Sequence, residues 1–115
     1  MLLRTNGNAK KMLELVKQQC RISTDEDDAL LVHYLEASKM LAEAFMSRKI
    51  YDSQADIDNA NDADGILNNA QIKQAILMVI AHWYEHREAV ATGISSKAVE
   101  LGFRALLQPF RMMGL

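Results

Sequence analysis

The sequence predicts an all-α protein, a small bundle of about four helices in which a long acidic loop joins two long antiparallel helices. Three observations predict this fold. Apolar residues recur at helical spacing, the 115 residues include a single proline, and β-branched runs are few. Half of the residues are hydrophobic, which suffices for one modest core. We therefore expect one helical domain over residues 1–115.

The first two helices are predicted over residues 8–20 and 24–48. The short first helix has an apolar stripe of Met12, Leu13, Val16 and Cys20. At the start of the second helix, Ser23 and Glu26 have the S-x-x-E spacing of a capping box. Acidic residues crowd its first turn, where the helix dipole favours them. The stripe that we expect to be buried comprises Leu31, Tyr34, Leu35, Ser38, Leu41, Ala42 and Phe45.

The loop is predicted over residues 50–68, where Asp and Asn are frequent and compete for backbone hydrogen bonds. A connection of this length is often functional. The third helix is predicted over residues 69–90. Its residues from Ala75 to Ala81 are apolar on every side, so other helices must pack against all faces of this helix. We expect a partner subunit to supply part of that cover.

A short fourth helix is predicted over residues 96–108, and Pro109 ends it. The remaining tail, residues 109–115, is apolar and has little of its own domain left to pack against. Exposed apolar tails often dock on a partner, whereas fraying is the default for a chain terminus. Docking on a partner and fraying are therefore both expected alternatives for the tail.

Charge is unevenly distributed along the chain. Residues 25–65 contain 11 acidic and 3 basic residues, a local net charge of −8, and the remainder has 10 basic and 4 acidic residues, or +6. Such a split is either a solvated acidic face or a pair of complementary assembly surfaces. The longest unbroken apolar run has seven residues, far short of the roughly 20 needed to span a bilayer. We expect a soluble protein without a membrane partner, and the single Cys20 suits a reducing compartment.

Two other function classes are alternatives to a role in assembly. His82, Glu85 and His86 match the H-x-x-E-H spacing of inverted zinc proteases, but the string is short, and catalytic zinc needs a third protein ligand. A small regulatory or DNA-binding helical domain is the second alternative, although no dense basic stripe is present. We predict no catalytic residue, no cofactor and no metal site. Cys20 is expected to be a buried thiol.

Three segments of the sequence resemble the head–tail connector proteins of long-tailed bacteriophages and prophages, also described as adaptor or head-completion proteins. They are residues 13–38 (LELVKQQCRISTDEDDALLVHYLEAS), residues 72–90 (IKQAILMVIAHWYEHREAV) and residues 99–111 (VELGFRALLQPFR). The family-like motif in the second segment comprises Ile72, Ile76, Val79, Ile80, Trp83, Tyr84 and Arg87.

The resemblance implies a structural protein of the virion, assembled in the bacterial host cytoplasm and located at the head–tail junction. It implies a homo-oligomeric ring of about a dozen copies beneath the portal of a DNA-filled capsid. The ring would meet the portal protein on one side and a downstream head-completion or tail protein on the other. Double-stranded DNA would pass through it without sequence-specific binding. The family has no catalytic residues to carry over.

Two sets of residues are candidates for subunit or partner contacts. The acidic loop supplies the first set, Asp56, Asp58, Asp62 and Asp64. The tail supplies the second set, Phe110, Arg111, Met112 and Met113. The loop charges could dock on a partner, or they could line the channel and repel DNA phosphates so that DNA slides.

Overall fold

The computed structural model of the chain describes residues 7–86 and 97–112, which form a small bundle of helices with one pair of two-residue strands. The predicted all-α bundle is confirmed. The elements in chain order are α1 (Gly7–Gln19), α2 (Asp28–Met46), β1 (Ile50–Tyr51), α3 (Gln54–Ala60), β2 (Ile66–Leu67), α4 (Ala70–Glu85), α5 (Lys97–Leu107) and a 3-10 turn (Gln108–Phe110).

Helix α4 is the centre of the bundle, and α1, α2 and α5 all pack against it. It begins where the Asn69 side chain accepts a hydrogen bond from the backbone N–H of Ile72. Its buried residues are Ile72, Ala75, Ile76, Leu77, Val79 and Ile80. The expectation that a partner subunit covers this apolar helix is therefore wrong for these residues, because three helices of the same chain cover them.

Helices α2 and α4 run in opposite directions, as contacts at both of their ends show. At one end, the Tyr84 hydroxyl donates a hydrogen bond to Asp27, just before α2 begins, with an O···O distance of 2.6 Å. At the other end, β1 follows α2 and pairs in parallel with β2, which precedes α4. Ile50 lies opposite Ile66, and the two strands hold the ends of residues 50–68 together.

The start of α2 differs from the prediction. The helix begins at Asp28, and Asp27 precedes it without a side-chain capping bond, so the predicted capping box of Ser23 and Glu26 is wrong. Lys17 of α1 holds two of the acidic residues at this start, since its ammonium group lies 2.7 Å from the Asp25 carboxylate and 2.9 Å from that of Asp28. The acidic residues tie α1 to α2 across the connection instead of extending the helix.

Residues 50–68 are more regular than the predicted loop, because they contain β1, α3 and β2. The Ser53 hydroxyl accepts a hydrogen bond from the backbone N–H of Asp56 at the start of α3. Asn61, at φ 52°, ends the helix in the left-handed region that Asn tolerates. The same Ser, Asp and Asn residues that indicated turns therefore cap a short helix.

The boundaries of the last two long helices also differ from the prediction. Helix α4 ends at Glu85, and the predicted residues 87–90 lie outside the described part of the chain. Helix α5 ends at Leu107, where the 3-10 turn containing Pro109 begins. No helix among residues 7–86 and 97–112 is long and apolar enough to cross a membrane.

Candidate interaction surfaces

The four aspartates predicted as contact residues have different surroundings. Asp56, Asp58 and Asp64 are exposed, whereas Asp62 is half-buried. The Tyr51 hydroxyl donates to Oδ2 of Asp62 at 2.9 Å, and the backbone N–H of Asp64 donates to its Oδ1 at 3.1 Å. Asp62 therefore shapes this segment, whereas the other three carboxylates are exposed at its surface.

Tyr51 is anchored to this segment by its hydroxyl and by its ring. The hydrogen bond to the Asp62 carboxylate, followed by partial burial and the nearby negative charge, raises the pKa of the Tyr51 hydroxyl. Gly65 lies against the ring, and a Cβ at Gly65 would be 2.7 Å from Cε2 of Tyr51. The absence of a side chain at Gly65 thus allows Tyr51 to lie flat against the turn.

The tail residues pack against the chain's own body more than the sequence predicts. Phe110 packs on the edge of the hydrophobic core, and Met112 is half-buried with its backbone N–H bonded to the Met46 carbonyl oxygen at 3.0 Å. Arg111 is exposed, and its guanidinium carbon lies 5.3 Å from the centre of the Phe45 ring. Met113 lies outside the described residues. The expectation that Phe110 has little of its own domain to pack against is wrong.

Arg48 joins the acidic segment to the tail, and it was not among the predicted contact residues. Its Nε donates to the carbonyl oxygen of Asp64 at 2.7 Å, and Nη2 donates to that of Gly65 at 3.3 Å. Nη1 donates to the carbonyl oxygen of Phe110 at 3.3 Å. The two predicted sets of contact residues therefore meet at Arg48. The only sequence signal is an arginine at the end of a predicted helix, which does not reveal its acceptors.

The family-like motif forms the interior of the bundle rather than a surface. Ile72, Ile76, Val79 and Ile80 are buried in the core. Trp83 and Tyr84 are half-buried at its edge, and the Trp83 ring lies 5.6 Å from the ring of Tyr34. Arg87 lies outside the described residues.

Several large apolar side chains lie on the surface instead. Leu41 was predicted to be buried, but it is 44% exposed, and Met40 beside it is 68% exposed. Leu101 of α5 is 66% exposed, while Leu15 and Leu67 are exposed to a smaller degree. Ser38 and Ala42 on the opposite side of α2 are fully buried, as predicted. The buried stripe of α2 is therefore narrower than expected.

The groups of the zinc hypothesis do not form a metal site within the described residues. The His82 and His86 rings stack with centroids 4.7 Å apart, and Nδ1 of His86 lies 3.1 Å from the His82 carbonyl oxygen. Residues 7–86 and 97–112 contain no group of three His, Cys, Asp or Glu side chains that could hold a metal ion. Burial, with a smaller contribution from the negative charge of Glu85, raises the pKa of the Cys20 thiol, which opposes activation as a nucleophile.

The fold and these surfaces define a small helical structural protein whose candidate functional groups are surface side chains. The family model described as phage gp6-like head-tail connector protein matches residues 10–111. The chain therefore belongs to the phage gp6-like head-tail connector family, which confirms the resemblance seen in the sequence. Its role is structural, at the head–tail interface of a phage. Comparisons with curated proteins and with solved structures gave no match.

Proposed function

We propose that the chain assembles as a ring of about a dozen copies that joins the portal of the DNA-filled capsid to the next connector or tail component. Double-stranded DNA passes through this ring without sequence-specific contacts. Membership of the connector family, with a match over residues 10–111, is the observation that carries the proposal.

Apolar side chains that remain exposed on the single subunit support self-association. Helix α4 is covered within the chain, yet Met40, Leu41 and Leu101 remain exposed on two other helices. Exposed apolar surface of this kind marks contacts with other proteins when it is contiguous. In a ring, one patch of each subunit meets a different patch of the next.

Charge supports contact with further components. Asp56, Asp58 and Asp64 project from the segment that Arg48 ties to the tail, and Arg111 is exposed on the tail side. We assign this combined surface to the portal or the downstream protein, and Asp62, Phe110 and Met112 support it through their contacts within the chain. An acidic channel lining that repels DNA phosphates is the alternative use of the same carboxylates.

Deletion of the gene in the phage or prophage that encodes it tests the proposed function. We expect DNA-filled heads without tails, because the surface on which the next component docks is missing. Added purified protein should bind these heads as a ring at the portal vertex, which electron microscopy would show. Normal tailed particles from the deletion, or heads that never bind the protein, would contradict the proposal.

Binding to duplex DNA by the isolated subunit separates the connector from a small DNA-binding domain. A DNA-binding domain would bind duplex DNA with an affinity that falls steeply as salt rises. We expect weak binding that does not distinguish one sequence from another. Tight binding to a particular sequence would favour the regulatory alternative.

A further inference from the structure

The outer surface of α2 carries an apolar stripe bordered by alternating charges. Ala37, Met40 and Ala44 follow one another at helical spacing, and Met40 is the most exposed of the large apolar side chains. One position before each of them stands a charged residue. These charged residues are, in order, Glu36, Lys39 and Glu43.

The outer surface of α5 repeats this pattern with every charge reversed. Its apolar stripe consists of Ala98, Leu101 and Ala105, all of which are exposed. The charged residues that precede them are Lys97, Glu100 and Arg104. The signs are minus, plus and minus on α2, and plus, minus and plus on α5, at identical spacing.

Both surfaces point away from the contact between α2 and α5 within one subunit. That contact brings together the rings of Phe45 and Phe103, with centroids 6.4 Å apart. At about 100° per residue, Met40 lies roughly 140° around α2 from Phe45, and Leu101 lies roughly 160° around α5 from Phe103. The two stripes therefore cannot cover each other within one subunit, and both are open to a neighbour.

We propose that the α2 outer surface of one subunit packs antiparallel against the α5 outer surface of a second copy of this chain. The charged stripe lies on the same rotational side of the apolar stripe on both helices, so an antiparallel arrangement brings the two charged stripes together. Glu36 then faces Arg104, Lys39 faces Glu100 and Glu43 faces Lys97. The outer charges span seven residues on each helix, about 10.5 Å, so the ends of the two stripes match.

A second copy fits these surfaces because each carries the complement of the other within the same sequence. The two surfaces differ, so each contact leaves one α2 surface and one α5 surface open at the ends of the assembly. Contacts of this heterologous kind continue until a ring closes. The inference rests on the proposed ring and identifies the surfaces that would build it.

The local contacts of these charged residues leave them available for the partner. Arg104 lies 3.5 Å from Glu100 on its own helix, and both side chains are more than half exposed, so breaking this surface pair costs little. The guanidinium carbon of Arg104 also lies 5.6 Å from the centre of the Phe45 ring of the same subunit, so Arg104 is less available than Glu100. Glu43 accepts a hydrogen bond from the backbone N–H of Ile50 at 2.8 Å, so it is the least available of the six. The pair Lys39–Glu100 should therefore contribute most.

The proposal can be tested with two variants, each of which blocks one of the two surfaces, studied separately and as a mixture. Met40→Asp blocks the α2 surface, and Leu101→Asp blocks the α5 surface, while circular dichroism and thermal unfolding check that each variant folds. We expect each variant alone to remain monomeric in analytical ultracentrifugation at concentrations where the wild-type chain forms rings. An equimolar mixture should give dimers and no rings, because only one intact pair of surfaces remains.

A charge exchange tests the antiparallel pairing independently. Lys39→Glu or Glu100→Lys alone should weaken association in low salt by at least about tenfold, since like charges then face each other. The double variant Lys39→Glu with Glu100→Lys should restore it. Failure to restore, or rings formed by either blocked variant, would overturn this interface while leaving the wild-type ring intact. A wild-type chain that never forms rings, alone or on capsids, would overturn the proposed function as well.

Discussion

Arg48 and Phe110 are 62 residues apart in the sequence, yet Nη1 of Arg48 donates a hydrogen bond to the carbonyl oxygen of Phe110 at 3.3 Å. The same guanidinium group holds the carbonyl oxygens of Asp64 and Gly65. One planar cation thus satisfies three backbone acceptors from two distant segments, which a lysine could not do with the same geometry.

Replacing Arg48 should loosen both segments at once. We expect Arg48→Met to lower the free energy of unfolding by about 1–3 kcal/mol, because partly buried carbonyl groups lose a charged donor. Urea denaturation measures this change. Hydrogen exchange should accelerate at Met112 and at Gly65 together. Lys49→Met, an exposed neighbour, is the matched control and should change stability by less than about 0.5 kcal/mol.

Neutralising the exposed carboxylates should impair particle binding. The variant Asp56→Asn, Asp58→Asn, Asp64→Asn leaves the structural Asp62 in place. If these charges dock on the portal or the downstream protein, the variant should join capsids at reduced occupancy in low salt. Quantitative electron microscopy of capsids lacking the chain provides the measurement.

A charge-matched control removes three other exposed acids, with Glu14→Gln, Glu26→Gln and Glu85→Gln. This control should bind capsids as the wild type does. Equal binding by both triple variants would mean that the charges of residues 50–68 do not take part in docking.

Two glycines should respond to alanine with opposite signs. In Gly65→Ala the new Cβ would meet Cε2 and Cδ2 of Tyr51 at 2.7 and 2.9 Å, so the ring must move, and we expect a loss of about 1–3 kcal/mol. In Gly102→Ala the nearest atom is Sδ of the flexible Met78 at 3.0 Å, and alanine favours the helix by up to about 1 kcal/mol. Thermal unfolding should show a lower midpoint for the first variant only.

The ion pairs of Lys17 should make stability depend on pH in a defined window. The hydrogen bond to Lys17 lowers the pKa of Asp25 below its ordinary 3.8, and the bonds to Asp25 and Asp28 raise the pKa of Lys17 above its ordinary 10.5. The contribution of these ion pairs to folding stability is therefore present between pH 3.8 and pH 10.5. It is lost as pH falls below 3.8 through the lowered pKa of Asp25, and as pH rises above 10.5 through the raised pKa of Lys17.

Lys17→Met tests this window. Its urea midpoint should lie below that of the wild type at neutral pH, and the two should converge in strong acid and strong alkali. The difference should also shrink in about 1 M salt, because the Asp25 side chain is exposed and screened. A difference that stays constant across the whole pH range would point to lost packing of the lysine stem instead.

Truncating Trp83 should cost less than truncating a fully buried aromatic residue. Trp83 is half-buried and contacts the Tyr34 ring, so we expect Trp83→Ala to lower the free energy of unfolding by about 2–3 kcal/mol rather than the 3–5 typical of core aromatics. Trp83→Phe, which keeps an aromatic ring against Tyr34, should recover about half of this loss. A loss under about 1 kcal/mol for the alanine variant would contradict the observed packing.

Sequence patterns predicted those elements whose stability comes from the burial of a periodic apolar face. Helix α4 is the best example, because Ile72, Ile76 and Ile80 recur along one buried side. The start of α2 was predicted too early, because the S-x-x-E spacing of Ser23 and Glu26 does not record that Lys17 of another helix binds the nearby Asp25 and Asp28. Helix α3 was missed because its caps, Ser53 and Asn61, are also common in irregular turns.

The candidate contact residues could be found individually but not as one surface. Acidic composition identified Asp56 and its neighbours, and the apolar tail identified Phe110. The two sets come together because Arg48 binds backbone carbonyl oxygens from both segments. A pattern of side chains in the sequence does not show where these carbonyl groups point. The exposure of Met40 and Leu101 was equally hidden, because an apolar residue in a helix does not reveal whether a neighbouring helix of the same chain covers it.

The pairing of β1 with β2 closes the base of the segment between α2 and α4. Because Ile50 and Ile66 hold this base together, we expect changes within the outer residues 52–61 to leave the distance between the two helices unchanged. The outer part of this segment can therefore change in surface charge or in length while α2 and α4 keep their relative positions.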